Sequence, residues 1–415
     1  MSRAAAGSLL QRSREAEHGP AVAAVVLFGV CACVCRGGLL DGEPFGDVHY
    51  YATLASRMLA GAIPYRSLFL EYPPASIPAF LVPAGIAKAH YQTIFRLEML
   101  ACAGMAVLAG MACLERAHVA AKRLWLAGLM IGLLPLALGP VFLNTYDFWP
   151  TALMMVALWL LLAGRTSAAA GALGLATTAK VFPAALLPLF LRVGGRERAR
   201  RILAWFAAIL VLIVLPFAIL GPGGLRFSFS LQSERGLEFE TIGGSLLIAL
   251  HHAHTELRPP GSREVVGSLA TAVGAVSTLV QVVAVLLVLW IAVRGPRSVE
   301  NVLLSASAVV AGLVVFGKVL SPQYLVWLVP LVPLVSAAGT VLLAAAAAMT
   351  QLWVLALFQP YEPGAASWAV VARNVLLVAL YAVLVRTLMR GSRGHGEPAP
   401  VSTRRPEGAF SRRRL

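Results

Sequence analysis

The sequence predicts an all-α protein, a polytopic transmembrane helical bundle of about 12 membrane helices with further helices on its surface. Of the 415 residues, 59% are hydrophobic and 13% are charged, whereas soluble domains average about 45 to 50% apolar and about 25% charged residues. Apolar runs of about 17 to 25 residues recur along the chain, and a helix of that length crosses about 30 Å of hydrocarbon. Arginines gather in short clusters between these runs, which is typical of the loops of multi-pass membrane proteins.

Apolar runs follow one another along the chain, and each is predicted to form a helix. They span residues 20–39, 93–113, 124–143, 148–163, 168–179, 181–192, 203–221, 267–293, 300–317, 323–337, 339–357 and 367–389. The first run is long and lacks a small-residue cleavage site, so we expect a retained helix and not a signal peptide. We assign residues 1–19 to a cytoplasmic N-terminal segment, 20–389 to a single transmembrane domain and 390–415 to a basic, disordered cytoplasmic tail.

The basic clusters also predict the orientation. They lie at residues 115–123, 192–201 and 294–297 and in the tail, and cytoplasmic loops carry such an excess of Arg and Lys. Both termini are therefore expected in the cytoplasm, with all three aspartates of the chain on the outer side. Because the clusters account for the net charge of +15, we expect a lipid bilayer and no nucleic acid as the partner.

Two segments must depart from simple crossings in this orientation. Residues 168–192 have to cross twice, with Lys180 at an outer turn, because a single crossing would place an unpaired lysine near the bilayer centre at a cost of about 2.5 to 3.5 kcal/mol. Pro183 helps to break this run. Residues 73–90 contain too many prolines for a full crossing and are predicted to form an interfacial or re-entrant helix within the first outer loop.

No metal or cofactor is predicted. The one histidine cluster, His251, His252 and His254, has no adjacent carboxylate or cysteine, and metal sites usually combine such ligands. The chain has no D-x-D pair and no phosphate-binding loop of the form GxxxxGK followed by Ser or Thr. The five cysteines fall inside apolar runs and are expected to be buried thiols.

Asp47 is the first candidate for chemistry. It precedes a stretch in the first outer loop whose apolar residues follow helical spacing, so it could simply cap a surface helix. It could equally take a proton from an attacking hydroxyl, as a carboxylate within hydrogen-bond reach does in general base catalysis. Asp147, which precedes "FWP", has the same two interpretations: a helix cap or a contact with substrate.

Several motifs in a fixed order carry a resemblance to a known family. They are Asp47 with Tyr51, "GAIPY" at 61–65, "EYPP" at 71–74, "YDFWPTAL" at 146–153, "GALGLATTAKVFPAALLPL" at 171–189, "ERGLEFET" at 234–241 and "GKVLSPQYLVWLVPL" at 317–331. Over roughly residues 47–331 the chain resembles glycosyltransferase family 87, one of the C-type membrane glycosyltransferases. The resemblance implies the C-type fold, a polyprenyl-phosphate sugar donor, mannose as the sugar, and a glycan or glycolipid acceptor in the cell envelope. It also implies an α-1,2 linkage made with inversion.

The resemblance implies a role for individual residues. Asp47 corresponds to the proposed catalytic base. Substrate contacts are expected from a larger set of polar and aromatic residues: Tyr72, Arg96, Asp147, Lys180, Arg235, Glu240, Lys318, Gln323 and Tyr324. For the cations the alternative is ordinary snorkelling at the interface, and for the tyrosines it is an aromatic belt. Glu238 and Thr241 depart from the family pattern, where a neutral amide and a serine are expected.

Two rival functions remain at this stage. A lipid-linked-sugar flippase or another transporter would need inverted repeats and broken helices at the membrane centre, and the only echo is "KVFP" at 180–183 with "KVLSP" at 318–322. A structural member without catalysis would not need Asp47. Because the polar groups gather at one predicted face, we favour a membrane hexosyltransferase with an extracytoplasmic active site.

Overall fold

Helices form almost every element of this computed structural model, which describes residues 3–35, 46–192, 195–258, 262–356 and 365–393. The helices are α1 (Arg3–Val34), α2 (Val48–Leu59), α3 (Ile77–Ala87), α4 (Tyr91–Glu115), α5 (Ala121–Leu138), α6 (Phe148–Leu162), α7 (Thr166–Ala179), α8 (Leu187–Arg192), α9 (Arg196–Leu220), α10 (Pro222–Glu234), α11 (Ile242–Ala249), α12 (Ala270–Arg294), α13 (Val299–Phe316), α14 (Val332–Val335), α15 (Ala337–Ala356) and α16 (Ala365–Arg393). Short 3-10 turns lie at Pro74–Ser76, Lys88–His90, Gly139–Leu143, Phe182–Leu186 and Pro322–Leu328.

The helices confirm a multi-pass membrane protein. Among the described residues, 6 helical segments are long and apolar enough to cross a bilayer: Pro74–Glu115, Ala121–Leu138, Arg196–Leu220, Ala270–Arg294, Val299–Phe316 and Ser367–Ser392. Shorter apolar helical stretches lie between them, at His18–Val34, Phe148–Leu162, Phe182–Arg192, Pro322–Val335 and Ala337–Trp353. The total of about 12 crossings stays a prediction.

The all-α prediction is confirmed, and one segment adds a short β-hairpin to the helical fold. β1 (His254–Arg258) and β2 (Ser262–Val266) form an antiparallel pair in which His254 lies opposite Val266. No helix is predicted between the apolar runs 203–221 and 267–293, because the residues between them contain no long apolar run. The residues of β2, Ser-Arg-Glu-Val-Val, do not alternate between polar and apolar, so they give no periodic signal for a strand. α10 and α11 were missed because they lie in the same region, which has no long apolar run.

The bundle has a buried centre and a lipid-facing edge. In α13, 78% of the most apolar window is buried inside the protein, against 11% in α9 and 22% in α12. Because a helix that is apolar all round must be covered either by protein or by lipid, α13 belongs to the core, while α9 and α12 lie at the periphery.

The break predicted at Lys180 is confirmed. α7 ends at Ala179, Lys180 is extended with φ −158° and ψ 137°, and a 3-10 turn with Pro183 near its start follows. The segment predicted between residues 73 and 90 is helical as α3, which packs between α2 and α4. The Tyr91 hydroxyl donates to the Phe80 carbonyl at 3.1 Å and holds α3 on α4. Its interfacial or re-entrant position stays a prediction.

Several connections between helices gather at one end of the bundle, which we call the Asp47 face. It comprises residues 46–76, the α5–α6 connection at 139–147, Lys180, the segments 221–258 and 262–269, and the turn at 317–324. The described residues of the basic clusters, 115–123, Arg192 with 195–201, and 294–297, lie at the other ends of these helices. The chain therefore separates its positive loops from the face that carries Asp47.

α1 and α5 pack closely against each other through two glycines of α5. A side chain at Gly132 would begin 2.7 Å from the Leu27 side chain, and one at Gly128 would begin 3.0 Å from the Pro20 carbonyl oxygen. Small residues four apart allow membrane helices to approach closely. These two glycines therefore set the distance between α1 and α5.

We predict that Gly132→Leu destabilises the protein by about 1 to 3 kcal/mol, because the added side chain overpacks the α1–α5 contact. The measurement is thermal unfolding in detergent. Gly29→Leu is the matched control, since a side chain at Gly29 on α1 meets nothing within 4 Å. Equal unfolding temperatures for the two variants would contradict the packing that the structure shows.

Candidate active site

Asp47 lies half-buried at the start of α2, and its carboxylate faces into the protein. The carboxylate Oδ2 accepts a hydrogen bond from the Tyr51 hydroxyl at 3.2 Å. The side chain makes no capping hydrogen bond with the first turn of α2. The helix-cap interpretation of Asp47 is therefore wrong, and the carboxylate is available for other contacts.

The backbone of Asp47 is held by the α5–α6 connection. Its N–H donates to the Asn144 carbonyl at 3.1 Å. The preceding Gly46 has φ +138°, and a side chain there would begin 2.4 Å from the Asn144 Cβ. Only glycine combines this backbone conformation with so close an approach, so Gly46 fixes where the Asp47 carboxylate can lie.

Aromatic rings cover one side of Asp47. Tyr51 is fully buried and stacks on Phe80 with ring centroids 4.6 Å apart. The rings of Tyr72 and Tyr146 lie 5.7 and 5.8 Å from the Tyr51 ring. This wall excludes water, and the resulting burial is the main reason why the pKa of the Asp47 carboxyl is raised.

Asp147 and Lys180 form a buried ion pair. The fully buried Asp147 accepts hydrogen bonds at Oδ1 from Lys180 Nζ at 2.7 Å and from Trp327 Nε1 at 2.6 Å. The ammonium group also lies 4.9 to 5.3 Å from the ring centroids of Tyr146, Tyr324 and Trp327. The cap interpretation of Asp147 is also wrong, because its side chain makes no capping bond. Asp147 Oδ2 is buried with no hydrogen-bond partner among the described residues.

Arg235 brings a second cation to the same place. Its guanidinium donates to the Glu238 carboxylate at 2.5 Å and to Gln232 Oε1 at 3.3 Å. Glu238 accepts a further bond from the Leu320 N–H at 3.1 Å. Burial raises the pKa of Glu238 to about 7, while the Arg235 charge acts in the opposite direction. The residue that departs from the family pattern thus serves to hold Arg235.

Glu71 completes this group. Burial raises the pKa of its carboxyl, and the charges of Arg235, Asp47 and Lys180 all act on it. The charges of Asp147, Lys180 and Arg235 act in turn on Asp47. We call the five residues Asp47, Glu71, Asp147, Lys180 and Arg235 the Asp47 cluster. It brings together three acidic side chains and two cationic side chains that the chain carries on five separate segments.

The other predicted site residues lie around this cluster. Arg96 Nε donates to Asn144 Oδ1 at 2.8 Å, directly behind the backbone of Asp47. Lys318 Nζ donates to the Ser233 carbonyl at 3.0 Å, near Arg235. Gln323 is half-buried on the Pro322–Leu328 turn. On that turn the Tyr324 ring stacks on Trp327 with centroids 4.4 Å apart, and the Tyr72 ring lies against Tyr146 at 5.0 Å.

Glu240 faces away from the cluster toward α16. Its carboxylate accepts from Arg373, which is almost completely buried, at 2.7 Å. The neighbouring Asn374 donates to the Glu240 carbonyl and to Ser245 Oγ, both at 3.1 Å. Because Phe239 N–H also bonds to the hairpin, this network holds in place the loop that carries Arg235. A structural role explains Glu240 better than the predicted substrate contact.

Sequence reasoning missed several residues that shape the site. Glu71 stood inside the quoted "EYPP" motif but was not selected, and Trp327 follows Tyr324 at i+3 in "YLVW". Arg373 had a clear signal, since an arginine within an otherwise apolar run is costly unless it is paired. Its partner Glu240 is 133 positions away, so no sequence pattern joins them.

The fold and this cluster define a multi-pass membrane protein with a charged, aromatic site at one end of its helical bundle. The chain belongs to glycosyltransferase family 87, which matches residues 69–322. Asp47 precedes the matched residues, whereas the other members of the Asp47 cluster lie within them. The chain is similar to the crystal structure of ArnT from Cupriavidus metallidurans bound to undecaprenyl phosphate, with 18% identity and a TM-score of 0.47 over 89% of this chain and 78% of that chain. No curated protein matches the chain.

We predict an asymmetry between the two partners of the Arg373–Glu240 pair. Glu240→Met should cost more stability than Arg373→Met, because a buried arginine stays charged whereas burial already raises the pKa of the Glu240 carboxyl and lets it become neutral. Losing one partner of a buried pair costs about 3 to 5 kcal/mol. The double variant should recover part of the loss.

Thermal unfolding in detergent measures these differences. Arg386→Met is the matched control, because Arg386 lies exposed on the same helix. If both single variants unfold at the temperature of the control, the pair does not hold the loop.

Proposed function

We propose that the protein is a membrane hexosyltransferase that moves mannose from polyprenyl-phosphate-mannose to a glycan or glycolipid acceptor on the extracytoplasmic side. The observation that carries the proposal is the Asp47 cluster of a family 87 chain, where a carboxylate with raised pKa faces two cations. Because the chain belongs to a glycosyltransferase family, the proposal takes sugar transfer as the reaction. The polyprenyl-phosphate donor is what the resemblance to that family implies. No metal or cofactor is included in the proposal.

In the proposed reaction, Asp47 takes the proton of the acceptor hydroxyl. The acceptor oxygen then forms a bond to the anomeric carbon of the sugar, while the bond from that carbon to the phosphate oxygen breaks. The electron pair of the broken bond stays on the phosphate, which leaves as polyprenyl phosphate. A single displacement inverts the anomeric centre, so a β-linked donor yields an α-linked product. One base is enough, because the phosphate leaves as a stable anion and needs no general acid.

The raised pKa of Asp47 suits a base. General base catalysis is most efficient when the pKa lies near the working pH, and burial moves the Asp47 carboxyl in that direction. The aromatic wall of Tyr51 and Phe80 lowers the local dielectric, which strengthens the charge interactions at the site. Fixed cations then stabilise the negative charge that develops on the leaving phosphate.

The two cations of the cluster are assigned different tasks. Lys180 is paired with the fully buried Asp147 and surrounded by three rings, so it mainly holds the Asp147 side chain in place. The second carboxylate oxygen of Asp147 has no partner among the residues that the structure describes, and we assign it to a sugar hydroxyl. Arg235 is 22% exposed at its side chain and is the cation that can reach a phosphate.

The test is sugar transfer by the purified protein in liposomes. The donors are radiolabelled polyprenyl-phosphate-mannose and polyprenyl-phosphate-glucose, offered with a panel of glycolipid acceptors and with no acceptor. Radioactivity in an acceptor supports the transferase, and the preferred donor identifies the sugar. Movement of the donor across the bilayer without any transfer would identify a flippase and contradict the proposal.

We predict that Asp47→Asn lowers kcat about 10²- to 10⁴-fold, the usual contribution of a general base, while the protein remains folded because the burial that raises the Asp47 pKa favours a neutral side chain. Transfer rates and the thermal unfolding temperature are measured together. Glu197→Gln is the control, since Glu197 is an exposed carboxylate on the opposite face. Full transfer by a folded Asp47→Asn variant would remove Asp47 as the base.

The pH dependence gives an independent prediction. Asp47 must be ionised to act, so kcat/KM should fall as the pH falls through its pKa, and burial places this acid limb above the ordinary aspartate range of about 4. Glu238, with a pKa of about 7, adds a second ionisation that Glu238→Gln removes. If the fall of kcat/KM at low pH persists unchanged in Asp47→Asn, Asp47 is not the base. If that fall reports the pKa of an exposed aspartate, the assignment to the buried Asp47 is also contradicted.

A further inference from the structure

A polar cavity of about 460 Å³ opens on the Asp47 face between the β-hairpin and the start of α12. Its walls come from the end of α10, the hairpin, α12 and Lys318: Glu234, Arg235, Gly236, Arg258, Glu264 and Thr271 are among the residues that line it. Arg235 belongs to this wall, and its charge also acts on Asp47 and Glu71. The cavity and the Asp47 cluster therefore share Arg235.

The cavity carries cations that are not tightly neutralised. The Arg258 side chain is 56% exposed, and its nitrogens lie 3.5 Å from Glu256 and 4.0 Å from Glu264, which is too far for good hydrogen bonds. Lys318 Nζ is bonded to one backbone carbonyl and forms no ion pair within the described part of the chain. Glu264 accepts from the Gly236 N–H at 3.0 Å. It and Glu234 are the two carboxylates of the lining, which also holds three cations, Arg235, Arg258 and Lys318. The cavity thus offers several N–H donors to an anion.

The cavity continues into a surface that faces lipid. Thr271, Ala275 and Thr278 lie at i, i+4 and i+7 on one side of α12 and line the cavity. The same side of the helix continues with Val282 and Leu286, whose side chains are 49% and 58% exposed. A ligand with an anionic head and an apolar chain fits this arrangement, because its head meets Arg258 while its chain stays in the bilayer.

We propose that this cavity binds the phosphate of the polyprenyl-phosphate sugar donor and, after transfer, the phosphate of the released polyprenyl phosphate. The lipid chain lies along α12. This inference rests on the proposed function and names the phosphate subsite of that reaction. In a single displacement, the base and the leaving group lie on opposite sides of the anomeric carbon. Arg235 lines the cavity and its charge acts on Asp47, so the proposal places the sugar between the Asp47 carboxylate and a phosphate in the cavity. Arg258 and Lys318 then stabilise the charge that the phosphate gains.

The first test measures binding and needs no transfer. The probes are farnesyl phosphate, farnesol and inorganic phosphate, added to the purified full-length protein in detergent. Arg258→Gln should weaken farnesyl phosphate binding about tenfold, the lower end of the effect of a lost charged hydrogen bond, and leave farnesol binding unchanged. Thr278→Trp, which fills the mouth of the cavity without removing a charge, should weaken it as well. Arg226→Gln is the matched control, because Arg226 is an exposed arginine of α10 outside the cavity.

The second test uses transfer kinetics and distinguishes the phosphate of the donor from an anionic group of the acceptor. Arg258→Gln should raise the KM of the donor and the inhibition constant of farnesyl phosphate about tenfold, with the KM of the acceptor unchanged. A rise confined to the acceptor KM would assign the cavity to an anionic acceptor and overturn the inference. Unchanged farnesyl phosphate binding in both cavity variants would overturn it too. If the wild type transfers no sugar but loses farnesyl phosphate binding in both variants, the proposed function fails while the cavity keeps its ligand.

Discussion

The buried ion pair between Asp147 and Lys180 is the interaction on which the rest of the site depends. Removing two charges from water costs several kcal/mol per ion, and here the Trp327 hydrogen bond and three nearby aromatic rings offset that cost. The pair ties the start of α6 to the end of α7 and to the Pro322–Leu328 turn. It adds to the Phe182–Trp327 ring stack, with centroids 3.9 Å apart, that also joins the end of α7 to that turn.

Around this pair, the protein places its acids in surroundings that favour their neutral forms. Burial raises the pKa values of Asp47, Glu71 and Glu238, while the cations Lys180 and Arg235 limit that rise. Such opposing influences are typical of functional sites, where a group must change its protonation state at moderate pH. The same face keeps Arg235 in position through a second buried pair, Arg373 with Glu240, so the cluster is supported from two sides.

Four of the five residues of the Asp47 cluster were predicted from the sequence. Asp47, Asp147, Lys180 and Arg235 were all selected, because motifs placed them at the ends of apolar runs on one predicted face. Their pairing was not predicted: Lys180 and Glu240 were predicted to contact substrate, and the structure pairs Lys180 with Asp147 and Glu240 with Arg373. The β-hairpin was missed because five-residue strands in a polar loop produce little periodic signal, yet it forms a wall of the cavity beside Arg235.

The sequence by itself determined that this is a multi-pass helical membrane protein, where its basic loops lie, and that the chain breaks at Lys180. These properties follow from hydropathy, charge and proline, which act over a few neighbouring residues. Only the tertiary structure decided which charges face each other, that neither Asp47 nor Asp147 caps its helix, and that a polar cavity adjoins Arg235. Those features depend on contacts such as Asp147 with Trp327, 180 positions apart, and such contacts form only when the helices pack.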